Sequence, residues 1–155
     1  DSGINAVQEF APAGDGNWRY TGFAITGSGR GENRISGAAD AAYAGGPVYI
    51  LDGNGEILAV GAGGAQTDYR RIAPGEKLTF SPVKIETDGK TILLADAVQA
   101  AFYNPETGEL TPAAAVRSPL YDIAYANGMY YILSGDRVIA YDAETLSPVS
   151  LISTP

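Results

Sequence analysis

The chain has 155 residues, with 10 Lys and Arg against 18 Asp and Glu, a formal charge of −8; that length fits one domain, or part of a larger one, with chain enough to bury a core. An apolar share of 45% excludes a disordered tail, no run approaches the ~18 uninterrupted apolar residues of a membrane helix, and 20 Gly with 9 Pro disfavour long helices. The absence of Cys and His excludes disulfides, thiolate nucleophiles, Ser-His-Asp triads and imidazole metal ligation, and the negative charge disfavours nucleic acid and anionic lipid as partners.

Residues 4–10 and 18–25 read as two strands of a partial unit spanning 1–37. Gly27-Ser28-Gly29-Arg30-Gly31 lacks the Gly-Lys-Ser/Thr ending and following helix of a phosphate loop, and reads as a plain loop. From residue 38 onward the chain repeats itself. Residues 40–60, DAAYAGGPVYILDGNGEILAV, and 122–141, DIAYANGMYYILSGDRVIAY, share Asp40/Asp122, Tyr43/Tyr125, Gly46/Gly128, Tyr49/Tyr131, Leu51/Leu133 and Ala59/Ala140 among ten identities. A middle copy occupies 88–112, with Gly89 in the place of Gly46 and Gly128, so the period is about 40 residues.

Each copy is built of short apolar runs between turn residues. Residues 91–95, 129–133 and 137–141 are rich in β-branched, apolar and aromatic side chains, and the last run alternates. Asp52-Gly53-Asn54-Gly55, Asp88-Gly89, Asn127-Gly128 and Ser134-Gly135-Asp136 supply hairpin turns, because Gly and Asn accept positive φ. Asn104-Pro105-Glu106-Thr107 and Asp142-Ala143-Glu144-Thr145 lead into a fourth strand, such as residues 149–152. No stretch carries a sustained helical period; residues 97–102 come closest.

Four short strands every ~40 residues is the period of a propeller blade, a sheet too thin to cover both its faces, so that blades stack one on another. The predicted fold is all-β, with four-stranded antiparallel blades at about 38–75, 81–117 and 118–155 and a partial blade in 1–37. That count, three to four, falls at or below the smallest closed ring. An open end exposes an apolar face and an unpaired edge, so self-association or a protein partner is expected.

Residues 128–145, GMYYILSGDRVIAYDAET, and 88–110 resemble the repeat of bacterial quinoprotein-like and YVTN-type β-propellers: a glycine turn, an apolar strand, a Gly-Asp turn, a second strand ending in Asp, then a Thr-Gly-type turn. The resemblance covers about residues 38–155 and implies the propeller fold, which serves many functions. Quinone-dependent members close each repeat with a Trp that docks between blades. The single Trp here, Trp18, lies outside the clear repeats, so no cofactor residue carries over.

Candidate chemistry is sparse. Asp52, Asn54 and Glu56 place oxygens at alternate positions, the spacing of the first half of a calcium loop, although Gly63 stands where the closing bidentate Glu belongs. The same residues also suit a plain hairpin turn. Asp40, Asp96 and Asp122 sit at strand starts or turns, where a glycosidase pair is one reading. Since Asp40 and Asp122 are repeat-equivalent, a structural task such as bonding a neighbouring backbone N–H is the other. Tyr121 and Tyr125, in a Tyr-rich segment, offer rings for a glycan or peptide platform, while alternation puts Tyr130 and Tyr131 on opposite faces. Arg70-Arg71 reads as a solvated strand edge.

These readings combine into a non-catalytic scaffold or binding module for protein, glycan or self-assembly, with Tyr121, Tyr125, Asp40 and Asp122 as binding candidates and Ca²⁺ as the only candidate ion. The start at Asp1, the acidity and the many small residues give the expectation of a bacterial extracellular, periplasmic or cell-surface protein whose signal is removed or lies outside this sequence. The alternatives are a carboxylate-dependent hydrolase or lyase on a propeller scaffold, and a fragment of a larger quinoprotein-like enzyme.

Overall fold

The computed structural model describes residues 6–26, 34–61, 69–74, 77–114 and 116–153. Fourteen strands and no helix are found among them. The glycine-rich segment 27–31 lies outside the described residues. A hairpin comes first, β1 (Ala6–Pro12) paired with β2 (Trp18–Thr26). Three antiparallel four-stranded sheets follow, each a simple meander of consecutive strands. The first contains β3 (Ala38–Ala42), β4 (Val48–Asp52), β5 (Ile57–Val60) and β6 (Tyr69–Ile72). The second contains β7 (Lys84–Thr87), β8 (Ile92–Ala95), β9 (Ala100–Tyr103) and β10 (Leu110–Pro112). The third contains β11 (Leu120–Ala126), β12 (Met129–Ser134), β13 (Arg137–Asp142) and β14 (Pro148–Ser153). Residues 97–102, the stretch nearest to a helical pattern, form a turn and most of β9.

The turns form where the side chains hold them. Asp88, Asp96, Asn104 and Asp142 each accept two backbone N–H groups from the residues two and three positions on, at 2.6–3.1 Å. Such Asx turns give a tight reversal its own acceptor. Between the first two strands of each sheet the chain turns through Gly45, Gly89 and Asn127-Gly128, all at positive φ.

The sheets lie face to face, and three apolar layers separate them. Val7, Ile25 and Ile35 pack on the first sheet through Ile50, Leu58 and Val60. The opposite face of that sheet, Tyr49, Leu51, Ile57 and Ala59, packs on Ile85, Ile92 and Leu94 of the second. The second sheet's other face, with Leu93, Ala95 and Phe102, packs on Ile123, Tyr130, Ile132, Ile139 and Tyr141 of the third. Phe102 sits between Tyr130 and Tyr141, with ring centroids 5.4 and 5.3 Å away. Strand alternation feeds this stacking, because β4 and β8 send successive side chains into the layers on either side, and β12 sends alternate ones, Tyr130 and Ile132, into the layer with the second sheet. The central strands β8 and β9 are buried along their whole length.

Two buried tyrosine hydroxyls fasten the second and third sheets. Tyr130 Oη accepts the N–H of Asp88 at 2.9 Å and donates to the carbonyl of Thr91 at 2.8 Å. Tyr141 Oη donates to the carbonyl of Ala114. Burial pushes the Tyr141 phenol up to about 12 and holds that of Tyr130 far above the ordinary tyrosine value.

Candidate functional site

The first strands of the three sheets lie together, with β7 between β3 and β11, and this junction gathers the charged candidates. Asp40 stands in β3 beside a register slip between Ala38 and Asp40. One of its oxygens accepts the N–H of Ala41 at 2.9 Å, and the other accepts the N–H of Ile85 in β7 at 3.1 Å. Ile85 is only 1% exposed, so its N–H is shut off from water and needs that acceptor. Of the two tasks open to Asp40, this geometry is the backbone one.

Asp122 occupies the matching position in β11, beside the matching slip between Leu120 and Asp122. Its Oδ1 accepts Lys84 Nζ at 2.7 Å, and its side chain remains 66% exposed. The hydrogen bond from Lys84 holds its carboxyl below the ordinary aspartate value, against a small opposing effect of burial. Glu86, two residues along β7, feels both acids. Burial, then the charge of Asp40, then that of Asp122 hold its carboxyl above the ordinary glutamate value, and a hydrogen bond from the Thr87 backbone opposes them. Lys84 and Glu86 were missed in the sequence because matching the repeats on Gly46, Gly89 and Gly128 sets Val83 against Asp40 and Asp122, whereas the strand register gives that place to Lys84. The alternation in Lys84-Ile85-Glu86-Thr87, two polar positions flanking a buried Ile, was the available signal.

The other candidates disperse. Asp96 is consumed in its own turn. Tyr121 is 56% exposed, while Tyr125 is half-buried with its ring 5.1 Å from that of Tyr130; no ring contact joins Tyr121 to Tyr125 among the described residues. Tyr130 and Tyr131 do face opposite ways, Tyr130 into the layer with the second sheet and Tyr131 away from it.

In the turn 52–56, Asp52 is buried, and its Oδ1 accepts the N–H groups of Asn54 and Glu56 at 2.8 and 3.0 Å. Asn54 is exposed, and Glu56 Oε2 is paired with Arg71 at 2.9 Å. Among the described residues no group of three or more acids is placed to hold a metal ion. The Arg pair divides its work: Arg71 holds Glu56 and the carbonyl of Arg34, whereas exposed Arg70 reaches the carbonyl of Pro105 in the second sheet at 3.4 Å. Arg70, with Pro47, Tyr49, Lys90, Asn104 and Glu106, lines a cleft of about 580 Å³ between the first two sheets.

A larger feature is the outer face of the third sheet. By register, Tyr131 pairs with Ala140, Leu133 with Val138, and Val138 with Ile152, so these side chains share the face turned away from the second sheet. None of Tyr131, Leu133 and Val138 belongs to the three apolar layers, and Ile152 is 57% exposed. At the opposite end of the stack, Phe10, Trp18 and Tyr20 on the hairpin are 50, 67 and 47% exposed, with the Phe10 and Tyr20 rings 5.7 Å apart.

No protein-family model matches the chain, and no curated protein matches it. Among solved structures the chain is similar to AztD of Citrobacter koseri, with TM-score 0.62, 14% identity, and 97% of this chain against 43% of that one. It is also similar to PorZ, a bacterial surface component of the type-IX secretion system of Porphyromonas gingivalis (TM-score 0.59, 15% identity, 77% of this chain and 17% of that one). A chain of the nidogen/laminin complex matches with TM-score 0.50 and 17% identity over 71% of this chain and 43% of that one. These are propeller-type proteins, and at such identities they bear on the fold alone. The chain is all-β and propeller-like, and it spans less than half the length of each of these three.

Proposed function

We propose that this chain is a non-catalytic binding module on a propeller-type scaffold of three four-stranded blades and a two-stranded partial one, working at a cell surface or beyond the cytoplasm with a protein partner. One observation carries the reading. The carboxylates that a hydrolase would use are committed to holding sheets together, Asp40 to the Ile85 N–H and Asp122 to Lys84, whereas the outer face of the third sheet presents half-buried Tyr131, Leu133 and Val138 and exposed Ile152, with no layer of the described residues over them. Contiguous apolar surface open to solvent marks interaction sites. The resemblance to a surface component of a secretion system and to a chain of the nidogen/laminin complex supports the same reading by analogy of fold.

The test sets the module against the carboxylate enzyme. Wild type, Asp40→Asn and Asp122→Asn are incubated with a panel of polysaccharides while the release of reducing ends is followed. No turnover above buffer is expected from any of them. Release that either substitution cuts a hundredfold would overturn the proposal.

A further inference from the structure

We infer that the outer face of the third sheet is a docking surface for a second copy of this chain, which meets it head to tail through the β1–β2 hairpin. The inference rests on the binding-module reading and names the partner.

The repeat says what this face is made to touch. Tyr131, Leu133, Val138 and Ala140 stand where the first sheet has Tyr49, Leu51, Ile57 and Ala59, with the same cross-strand pairings: Leu133 opposite Val138 as Leu51 is opposite Ile57, and Tyr131 opposite Ala140 as Tyr49 is opposite Ala59. The first-sheet set is 0–6% exposed because the second sheet covers it. The third-sheet set has the same chemistry, and no apolar layer of the described residues includes its three larger members. An occupant that packs on it therefore presents an apolar β face, as the second sheet does to the first.

Asp122 agrees. Asp40, beside the same slip, accepts a backbone N–H from the first strand of the sheet in front of it. Asp122 has the same place, and although Lys84 holds its Oδ1, its side chain is 66% exposed, so its other oxygen is positioned to accept from an incoming strand.

The opposite end of the molecule supplies the complement. The stack begins with two strands where every other layer has four, and the registered pairs Phe10–Tyr20 and Pro12–Trp18 put three exposed aromatic rings on one face of that hairpin. One copy thus carries an open β face at each end, of two different kinds. Such surfaces pair heterologously, and two copies close if each hairpin meets the other's third sheet. Length fits: nearly the whole chain superposes on 43% of a propeller-type chain, so two copies supply most of such a ring. Each copy carries −8, so the copies repel, and the contact is expected to tighten as salt screens that charge.

Sedimentation velocity of the chain from 1 to 100 µM, at low and high salt, reads the result. A dimer is expected, with at least tenfold tighter association at high salt. Leu133→Glu and Trp18→Glu are each expected to leave monomers with unchanged far-ultraviolet dichroism; Val138→Lys replaces Leu133→Glu should that variant not fold. Mixing the two variants is expected to restore a heterodimer, because each keeps the surface the other lacks. A monomer at 100 µM, a dimer that survives Leu133→Glu, or a dimer lost only on the third-sheet side overturns the inference. A monomer without glycan turnover sinks this inference and leaves the binding module standing, while turnover sinks the module whatever the oligomeric state.

Discussion

Replacing Tyr130 by Phe isolates the polar fastening between the second and third sheets from the packing around it. The ring is fully buried between Phe102 and Tyr125, and Phe fills the same space, so no cavity forms. What is lost is one accepted and one donated hydrogen bond. The partners are not wholly orphaned. The carbonyl of Thr91 still accepts the Thr87 hydroxyl at 2.8 Å, and the N–H of Asp88 keeps a long 3.4 Å approach to that carbonyl. At about 0.5–1 kcal/mol net per bond, since both partners keep another contact, the expected loss is about 1–2 kcal/mol. With a urea slope of about 2 kcal/mol per molar, the midpoint falls by roughly 0.5–1 M. Tyr131→Phe is the internal control. That ring points away from the second sheet, and its change is expected to stay within about 0.5 kcal/mol. Urea titrations followed by circular dichroism give both numbers. Equal midpoints for the two variants, or a Tyr130→Phe loss under about 0.5 kcal/mol, would refute the claim that this hydroxyl ties the sheets.

The junction of first strands gives a pH dependence. Burial, Asp40 and Asp122 raise the Glu86 carboxyl, so the folded chain holds that proton more tightly than the unfolded one; the resulting stabilisation is complete below about pH 4.5 and is lost as pH rises through the folded value. Glu86→Gln is therefore expected to be the more stable chain at pH 7, by about 0.5 kcal/mol, with the gap closing towards pH 4 in thermal melts; a gap that widens on acidification would contradict the sign. Gly89 has φ +93°, and a Cβ there would lie 3.2 Å from the carbonyl oxygen of Ala44 in the first sheet. Gly89→Ala is expected to cost about 1–3 kcal/mol, whereas Gly46→Ala, with open space and a φ outside the left-handed region, changes stability by under about 0.5 kcal/mol; melting temperatures of the two variants decide it.

Those glycines also show how far the sequence could be read. Gly46, Gly89 and Gly128 fall in the turn between the first two strands of their sheets, because a tight reversal after an apolar run selects Gly in any repeat. Yet the left-handed residue of the first turn is Gly45. By strand register Gly45 is the counterpart of Gly89 and Asn127, all at positive φ, while Gly46 precedes Pro47, and the residue before a proline is driven towards extended backbone. Hydrophobic alternation made the strands legible, since β4 lies between two apolar layers and β12 lies against one. The partners across those layers were not legible: nothing local says that Lys84 reaches Asp122 from 38 positions away, or that Tyr130 spans to a turn 42 positions earlier. Such pairs depend on how sheets slide over one another, which the period does not encode. The Asp52 turn was ambiguous for a related reason, because oxygens at alternate positions serve backbone N–H groups as readily as an ion.

The departure of the middle repeat explains why its first strand became the junction. By register Lys84 stands where the other two sheets have Asp40 and Asp122, so β7 donates to both neighbours: it offers the Ile85 N–H to Asp40 on one side and the Lys84 ammonium to Asp122 on the other. A buried N–H without an acceptor costs about 1–3 kcal/mol, so the Asp40 bond favours a single docking of the second sheet on the first. Lys84 and Asp122, at 34% and 66% exposure, add at most about 1 kcal/mol to the other side. The hydroxyls of Tyr130 and Tyr141, both hydrogen-bonded to backbone carbonyls, make up the difference there, whereas Tyr49 and Tyr103, buried between the first and second sheets, contribute through packing. The two interfaces between the four-stranded sheets thus each have a polar contact fixing their alignment, Asp40 in one and the two tyrosines in the other, and the apolar layers supply the attraction. The outer face of the third sheet has the same two ingredients, the apolar set and an Asp beside the slip, and lacks only the sheet that would use them.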